Sequence, residues 1–182
     1  MRIIAGELKG RRIEAPKWDG LRPTSDKLRE TLFNVLAPRI VGAHVLDGYA
    51  GTGAVGIEAL SRGAAHVTFV EKDPRAVRLV EANLQRCGVD DRYAIIRAGL
   101  ADAIRRLGAA RFDIIFLDPP YGADTLADAV ALADQLAGAG TVVVIEHASK
   151  NEAPAASGGV SRVRELRSGD SALSFYRRAE TP

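Results

Sequence analysis

One cysteine, one tryptophan, one methionine and three histidines in 182 residues leave little room for several kinds of chemistry. Cys87 alone can build neither a disulfide framework nor a cysteine metal site. His44, His66 and His147 lie far apart and lack the helical spacing of a metal pair, so no metal is expected. No apolar run is long enough to cross a bilayer. The opening Met1–Glu7 has no signal-peptide apolar core. These absences lead us to expect a cytoplasmic protein with no membrane contact. No internal repeat or low-complexity stretch is present either.

What is present fits a single folded domain with a small appendage. Net charge is +2, but it is unevenly spread. Residues 1–40 carry nine Lys/Arg against five Asp/Glu, and residues 41–160 carry eleven against fifteen. Both ends are basic and the middle is acidic, a pattern compatible with an enzyme core whose flanks meet a polyanion. Solvated surface charge gives the same count.

Residues 1–16 read as a short β-hairpin with its turn near Lys9-Gly10. Arg2, Lys9, Arg11 and Arg12 cluster there, as RNA phosphate contacts or as charges guarding an edge strand. Thr24-Ser25-Asp26 offers caps for a helix to about Leu36. From Ala43 onward, strands and helices alternate. Strands are expected at 44–48, 67–70, 93–96, 112–117 and 141–146, with helices at 53–62, 73–87, 100–107 and 124–136. Single helices between strands imply βαβ units and a mostly parallel sheet. The tail, 160–166 and 172–177 around Ser168-Gly169-Asp170, reads as an antiparallel hairpin. Residues 153–159, small and rich in Gly and Pro, read as a mobile loop. Cys87 is expected in the core, and His44 and His66 as structural. Glu146 and His147 fall at the ligand edge of the sheet as further pocket candidates.

The chain is organised around Val45-Leu46-Asp47-Gly48-Tyr49-Ala50-Gly51-Thr52-Gly53-Ala54-Val55-Gly56. This is a strand, a glycine turn and a helix start, the arrangement that binds nucleotide-like ligands at the carboxyl edge of an open sheet. Gly51-x-Gly53-x-x-Gly56 also matches the dinucleotide fingerprint, so the stretch alone leaves the cofactor open. Glu71 ends the second strand, where a carboxylate can accept both ribose hydroxyls. Asp47 favours S-adenosylmethionine, because a carboxylate repels a pyrophosphate and welcomes a cationic amino-acid end. Asp118-Pro119-Pro120-Tyr121, after the fourth strand, falls at the same edge. As structure alone it is a rigid turn. As chemistry, Asp118 Oδ and the Pro119 carbonyl can accept the two hydrogens of an exocyclic amine and free its lone pair. Pro120 keeps the acceptors rigid, and Tyr121 can stack on a base.

These motifs resemble the RsmD family, bacterial methyltransferases acting on guanine 966 N2 of 16S ribosomal RNA. The resemblance runs from Met1-Arg2-Ile3-Ile4-Ala5-Gly6 through Leu21–Asp26, Arg29–Asn34, Asp47–Gly53, Gly56–Ala64, Glu71-Lys72-Asp73 and Asn83-Leu84 to Asp118–Tyr121. It implies a Rossmann-like class I S-adenosylmethionine-dependent methyltransferase: an α/β fold with a mostly parallel seven-stranded sheet and an antiparallel C-terminal hairpin. A basic N-terminal β-hairpin over residues 1–20 would precede a methyltransferase domain over 21–182. Arg22, Pro23 and Thr24 would cover the methionine end of the cofactor. Asp47, Tyr49, Ala50, Gly51, Thr52 and Gly53 would form its main loop. Glu71 would hold the ribose and Lys72 would lie beside the adenine. Asp118 to Tyr121 would hold the target guanine. Where related enzymes often place a polar residue for the adenine, this chain has Arg97-Ala98-Gly99-Leu100, so backbone there or Asp102 would make that contact. The partner implied is 16S ribosomal RNA of the small subunit, met by a monomer. A DNA adenine or cytosine amino-methyltransferase is the alternative, and an NAD-binding oxidoreductase a more distant one.

Overall fold

Ile114–Leu117 and Val142–Ile145 are apolar at every position, the pattern of strands in a sheet covered on both faces. They lie in such a sheet in the computed structural model, which describes residues 1–18, 24–108, 111–120 and 123–178. In chain order the elements are α1 (Asp26–Ile40), β1 (His44–Gly48), α2 (Ala54–Ser61), β2 (His66–Glu71), α3 (Pro74–Arg86), β3 (Tyr93–Arg97) and α4 (Leu100–Leu107). There follow β4 (Ile114–Leu117), α5 (Ala123–Leu136), β5 (Val142–Ala148), β6 (Ala156–Ser157), β7 (Val160–Ser168) and β8 (Ser171–Arg178). One sheet runs β3-β2-β1-β4-β5-β8-β7-β6. The first five strands in that order are parallel, while β8 enters antiparallel to β5 and pairs with β7. The sheet has eight strands rather than seven, because Ala156–Ser157 adds a two-residue strand beside β7.

The alternation of side chains divides the core into two layers. Val45, Ile114, Phe116, Val142 and Val144 face Leu32, Ile57, Val80 and Leu84 of α1, α2 and α3. Their neighbours Leu46, Ile115, Leu117, Val143 and Ile145 face Leu100, Leu126 and Val130 of α4 and α5. Gly56 lets α2 sit close against β2. A Cβ there would lie 2.2 Å from Phe69 Cε1, with no flexible tip to move aside.

Helix ends follow the local chemistry. Ser25 Oγ caps α1 by accepting from Leu28 N at 3.2 Å. Asp73 caps α3 ahead of Pro74. α1 runs past Leu36 to Ile40, since Pro38 in its last turn removes only one backbone donor.

One expectation is refined and one corrected. The N-terminal hairpin is present but short: Arg2–Arg12 is its one antiparallel bridge, flanked by bonds from Ile3 N to the Arg11 carbonyl (2.9 Å), Gly10 N to the Ile3 carbonyl (2.9 Å) and Ile13 N to the Met1 carbonyl (3.2 Å), with the chain turning through residues 5–10. Its backbone bonds to side chains elsewhere: Glu58 accepts from Ile4 N (2.8 Å) and Ala5 N (3.0 Å), Ser61 Oγ from Leu8 N (3.0 Å), and Asn83 Oδ1 from Glu14 N (2.7 Å). Ile3, Leu8 and Ile13 join the core beneath. Residues 153–159 are fixed rather than mobile. Tyr176 Oη donates to the Pro154 carbonyl at 2.8 Å, Arg162 Nη1 to the Ala153 carbonyl at 2.9 Å, and Gly159 N to Asp134 Oδ1 at 2.9 Å. Among the described residues, no helix is long and apolar enough to cross a membrane.

Candidate active site

The strand order reverses direction between β1 and β4, which opens a crevice at their carboxyl ends. Register brings Gly48 beside Leu117, and Asp118 N approaches the Gly48 carbonyl at 3.4 Å. The glycine turn and Asp118 therefore emerge side by side. They line one cavity of about 590 Å³, the size of a small-molecule site.

The turn is built from backbone. Tyr49 N and Ala50 N both donate to the Val70 carbonyl at 3.0 Å, anchoring the turn to β2. Tyr49 takes φ 73°, rare for a residue with a side chain, and Gly53 takes φ 76° as the N-cap of α2. Gly51 N donates to Glu71 Oε2 at 3.0 Å, and Asp73 N to Glu71 Oε1 at 2.8 Å, so both oxygens of Glu71 are fixed. Asn83 Nδ2 holds the Thr52 carbonyl at 2.9 Å.

Asp47 is buried, and its Oδ2 accepts from Gly56 N at 2.9 Å. Burial pushes its pKa up to about 7, with Glu71 adding to the rise and the Gly56 N–H opposing it. Burial also pushes Asp118 well up, helped by the charges of Glu146 and Asp47. Thr24 Oγ1 donates to Glu146 Oε2 at 3.0 Å, joining the start of α1 to the end of β5. Asp73 behaves oppositely: its hydrogen bonds to Arg75 hold it down at about 2.

Of the residues named from sequence, Thr24, Asp47, Tyr49, Ala50, Gly51, Thr52, Glu71, Lys72, Gly99, Leu100, Asp118, Pro119 and Pro120 line the cavity. Gly53 does not, and serves the helix start instead. Arg22, Pro23 and Tyr121 lie outside the described residues. Asp102 pairs with Arg105 at 2.6 Å and does not line the cavity, whereas Ala98 and Gly99 do. His147 turns away from it to Ser174 Oγ at 2.9 Å. Arg2, Lys9, Arg11 and Arg12 are exposed away from it. Sequence reasoning missed Trp18, Asp73 and Phe116 in the wall.

Residues 1–177 match the family described as Conserved hypothetical protein 95. The putative rRNA methyltransferase YlbH of Bacillus subtilis is 36% identical over 98% of this chain and 99% of its own. Ribosomal RNA small subunit methyltransferase D of Escherichia coli is 35% identical over 98% of this chain and 90% of its own. The chain belongs to the RsmD family. A solved structure, the putative methyltransferase yhhF from Escherichia coli, shares its fold with a TM-score of 0.82 at 35% identity, covering 98% of this chain and 97% of that one. The O-methyltransferase from Bacillus cereus in complex with SAH reaches 0.71 at 16% identity over 87% of this chain and 84% of its own. At that distance the likeness is one of fold. The RsmD-family chain thus carries the mostly parallel sheet of S-adenosylmethionine-dependent methyltransferases, closed by antiparallel C-terminal strands.

Proposed function

We propose that this RsmD-family methyltransferase methylates the exocyclic N2 of a specific guanine, guanine 966 of 16S ribosomal RNA in the small subunit. Its cofactor is S-adenosylmethionine and its substrate class is ribosomal RNA. The observation that carries the finer reading is the meeting of Asp118-Pro119-Pro120 with the Gly51 turn and Glu71 in one cavity.

The donor set fits the cofactor. Asp47, Glu71 and Asp118 make no ion pair among the described residues, so their side of the cavity suits a cationic ligand and disfavours a pyrophosphate. Thr24, Asp47 and the 49–52 turn would hold the amino-acid end. Glu71 would take the ribose hydroxyls. Lys72, Ala98, Gly99 and Leu100 would flank the adenine, with backbone at 98–99 supplying its polar contact. When bound, S-adenosylmethionine supplies a methyl group made electrophilic by its sulfonium.

The chain's own task is to prepare the amine. A guanine N2 is a poor nucleophile because its lone pair is delocalised into the ring. Asp118 Oδ and the Pro119 carbonyl would accept its two hydrogens, draw the nitrogen toward tetrahedral geometry and aim its lone pair. The two prolines keep those acceptors from relaxing, so little reorganisation accompanies reaction. The ammonium formed by methylation is strongly acidic, so no dedicated general base is needed to remove its proton. The base must leave any stack to reach the cavity, which favours an unpaired or flipped guanine. Arg2, Lys9, Arg11 and Arg12 would contact RNA phosphates. In this reading residues 1–20 serve RNA and 21–182 the chemistry, in a monomer.

Methyl transfer from labelled S-adenosylmethionine to naked 16S RNA, assembled 30S particles and duplex DNA tests the proposal. Label on a guanine N2 of 16S RNA, free or assembled, is expected. Label on DNA alone overturns it.

A further inference from the structure

Trp18 stands at the end of the basic N-terminal segment and lines the cavity alongside Glu71, Lys72 and Asp73. It is half-buried, and the Arg75 guanidinium lies 5.2 Å from its ring centroid. Arg75 is itself clamped, with Nη2 donating to Asp73 Oδ2 at 2.7 Å and Nε sitting 3.2 Å from both Asp73 oxygens. Asp73 caps α3 and donates its backbone N–H to Glu71 Oε1 at 2.8 Å. A continuous chain of contacts therefore runs along the rim: Glu71 to Asp73, Asp73 to Arg75, Arg75 to Trp18. The guanidinium–indole contact is a cation–π pair at the rim of the cavity. An aromatic face in a nucleoside-sized cavity is a stacking surface.

We infer that Trp18 contacts the cofactor, closing the Glu71–Asp73 side of the cavity against the nucleoside half of the ligand. This rests on the S-adenosylmethionine reading of the cavity. It makes the N-terminal segment part of the cofactor site as well as a candidate RNA contact.

The chain has one tryptophan, so its fluorescence reports this position alone. The intact protein is titrated with S-adenosylhomocysteine, following emission and, in parallel, heat. A saturable change in emission with the calorimetric Kd is expected. Trp18→Ala should weaken calorimetric affinity about tenfold, the scale of losing one aromatic–base stack, while Trp18→Phe keeps most of it. Arg75→Ala should give an intermediate loss. Thermal midpoints without ligand serve as the folding control for each variant. Should Trp18→Ala fail to fold, the wild-type emission and Trp18→Phe still decide. Wild-type binding with unchanged emission, or a folded Trp18→Ala binding as tightly as wild type, overturns the role of Trp18 and leaves the cofactor reading standing. No calorimetric binding to wild type overturns both.

Discussion

Asp47 Oδ2 reaches across the glycine turn to the backbone N–H of Gly56, accepting at 2.9 Å. One hydrogen bond does not offset the loss of water around a buried carboxylate, so the pKa of Asp47 stays near 7.

A pH dependence with a definite sign follows. The folded pKa of about 7 lies above the ordinary carboxyl value of 3.8. In the ligand-free protein, the stabilisation from this group is present below about pH 4 and is lost as pH rises through about 7. A cationic ligand prefers the carboxylate, so affinity for S-adenosylmethionine should rise with pH up to about 7 and then level off. Below that pH, binding should release up to one proton, seen by calorimetry in two buffers of different ionisation enthalpy. Asp47→Asn should reduce the release, with any remainder coming from Asp118 in the same cavity. An affinity that stays flat from about pH 5.5 to 8 would contradict this role for Asp47.

Asp118→Ala removes one of the two proposed acceptors for the amine. Methyl transfer should fall by at least about a hundredfold, with S-adenosylmethionine affinity within about threefold of wild type. Single-turnover rates and calorimetry separate the two effects. Unchanged turnover would sink the amine-orientation mechanism.

Glu58, fully buried, is the clamp beneath the N-terminal segment. It accepts from Ile4 N, Ala5 N and Arg62 Nε (2.8 Å) and lies 3.8 Å from the buried Arg29 guanidinium. Glu58→Ala would leave Arg29 with Asp26 as its one acidic partner among the described residues and orphan two backbone donors. A loss of about 3–5 kcal/mol in urea unfolding is expected. The amides of Ile4 and Ala5 should exchange faster with solvent. Wild-type protection at those two amides would show that the clamp is not Glu58.

Neutralising Arg2, Lys9, Arg11 and Arg12 together should weaken RNA binding. The slope of log affinity against log salt should shrink by about 0.7 for each phosphate that no longer meets a cation. Arg11 is distinct, since its guanidinium also holds the Cys87 carbonyl at the end of α3. A triple variant that keeps Arg11 separates the effect of charge from the effect of anchoring. An unaltered salt slope in both variants would reduce the segment to a guarded edge.

Much of the sheet was legible because period and punctuation agree. Asp73-Pro74 announces α3, and Gly99 and Gly108 bracket α4. Asp118 could be set beside the glycine turn because both follow parallel strands, whose carboxyl ends share one edge. What sequence hid are bonds between backbone and distant side chains. Nothing local to Ile4 or Glu14 points to Glu58 or Asn83. The composition of 153–159 suggests mobility, yet its carbonyls are held by Tyr176 of β8 and Arg162 of β7, brought near because β6 pairs with β7 and β7 with β8. Gly51 and Gly53 look equivalent in the fingerprint. Only the backbone path separates them, one into the cavity wall and the other into a helix cap. Trp18 belongs to no motif, and nothing local to it points to Arg75 or to the cavity wall.

The bonding of the first fourteen residues also fixes an order of events during synthesis. Ile4, Ala5, Leu8 and Glu14 find their acceptors on residues 58, 61 and 83. Synthesis runs from N to C, so residues 1–14 have nothing to close upon until α2 and α3 have been made. Residues 1–14 can settle only once residue 83 has been made. Until then Arg2, Lys9, Arg11 and Arg12 ride on a segment that has not yet found its place on the fold.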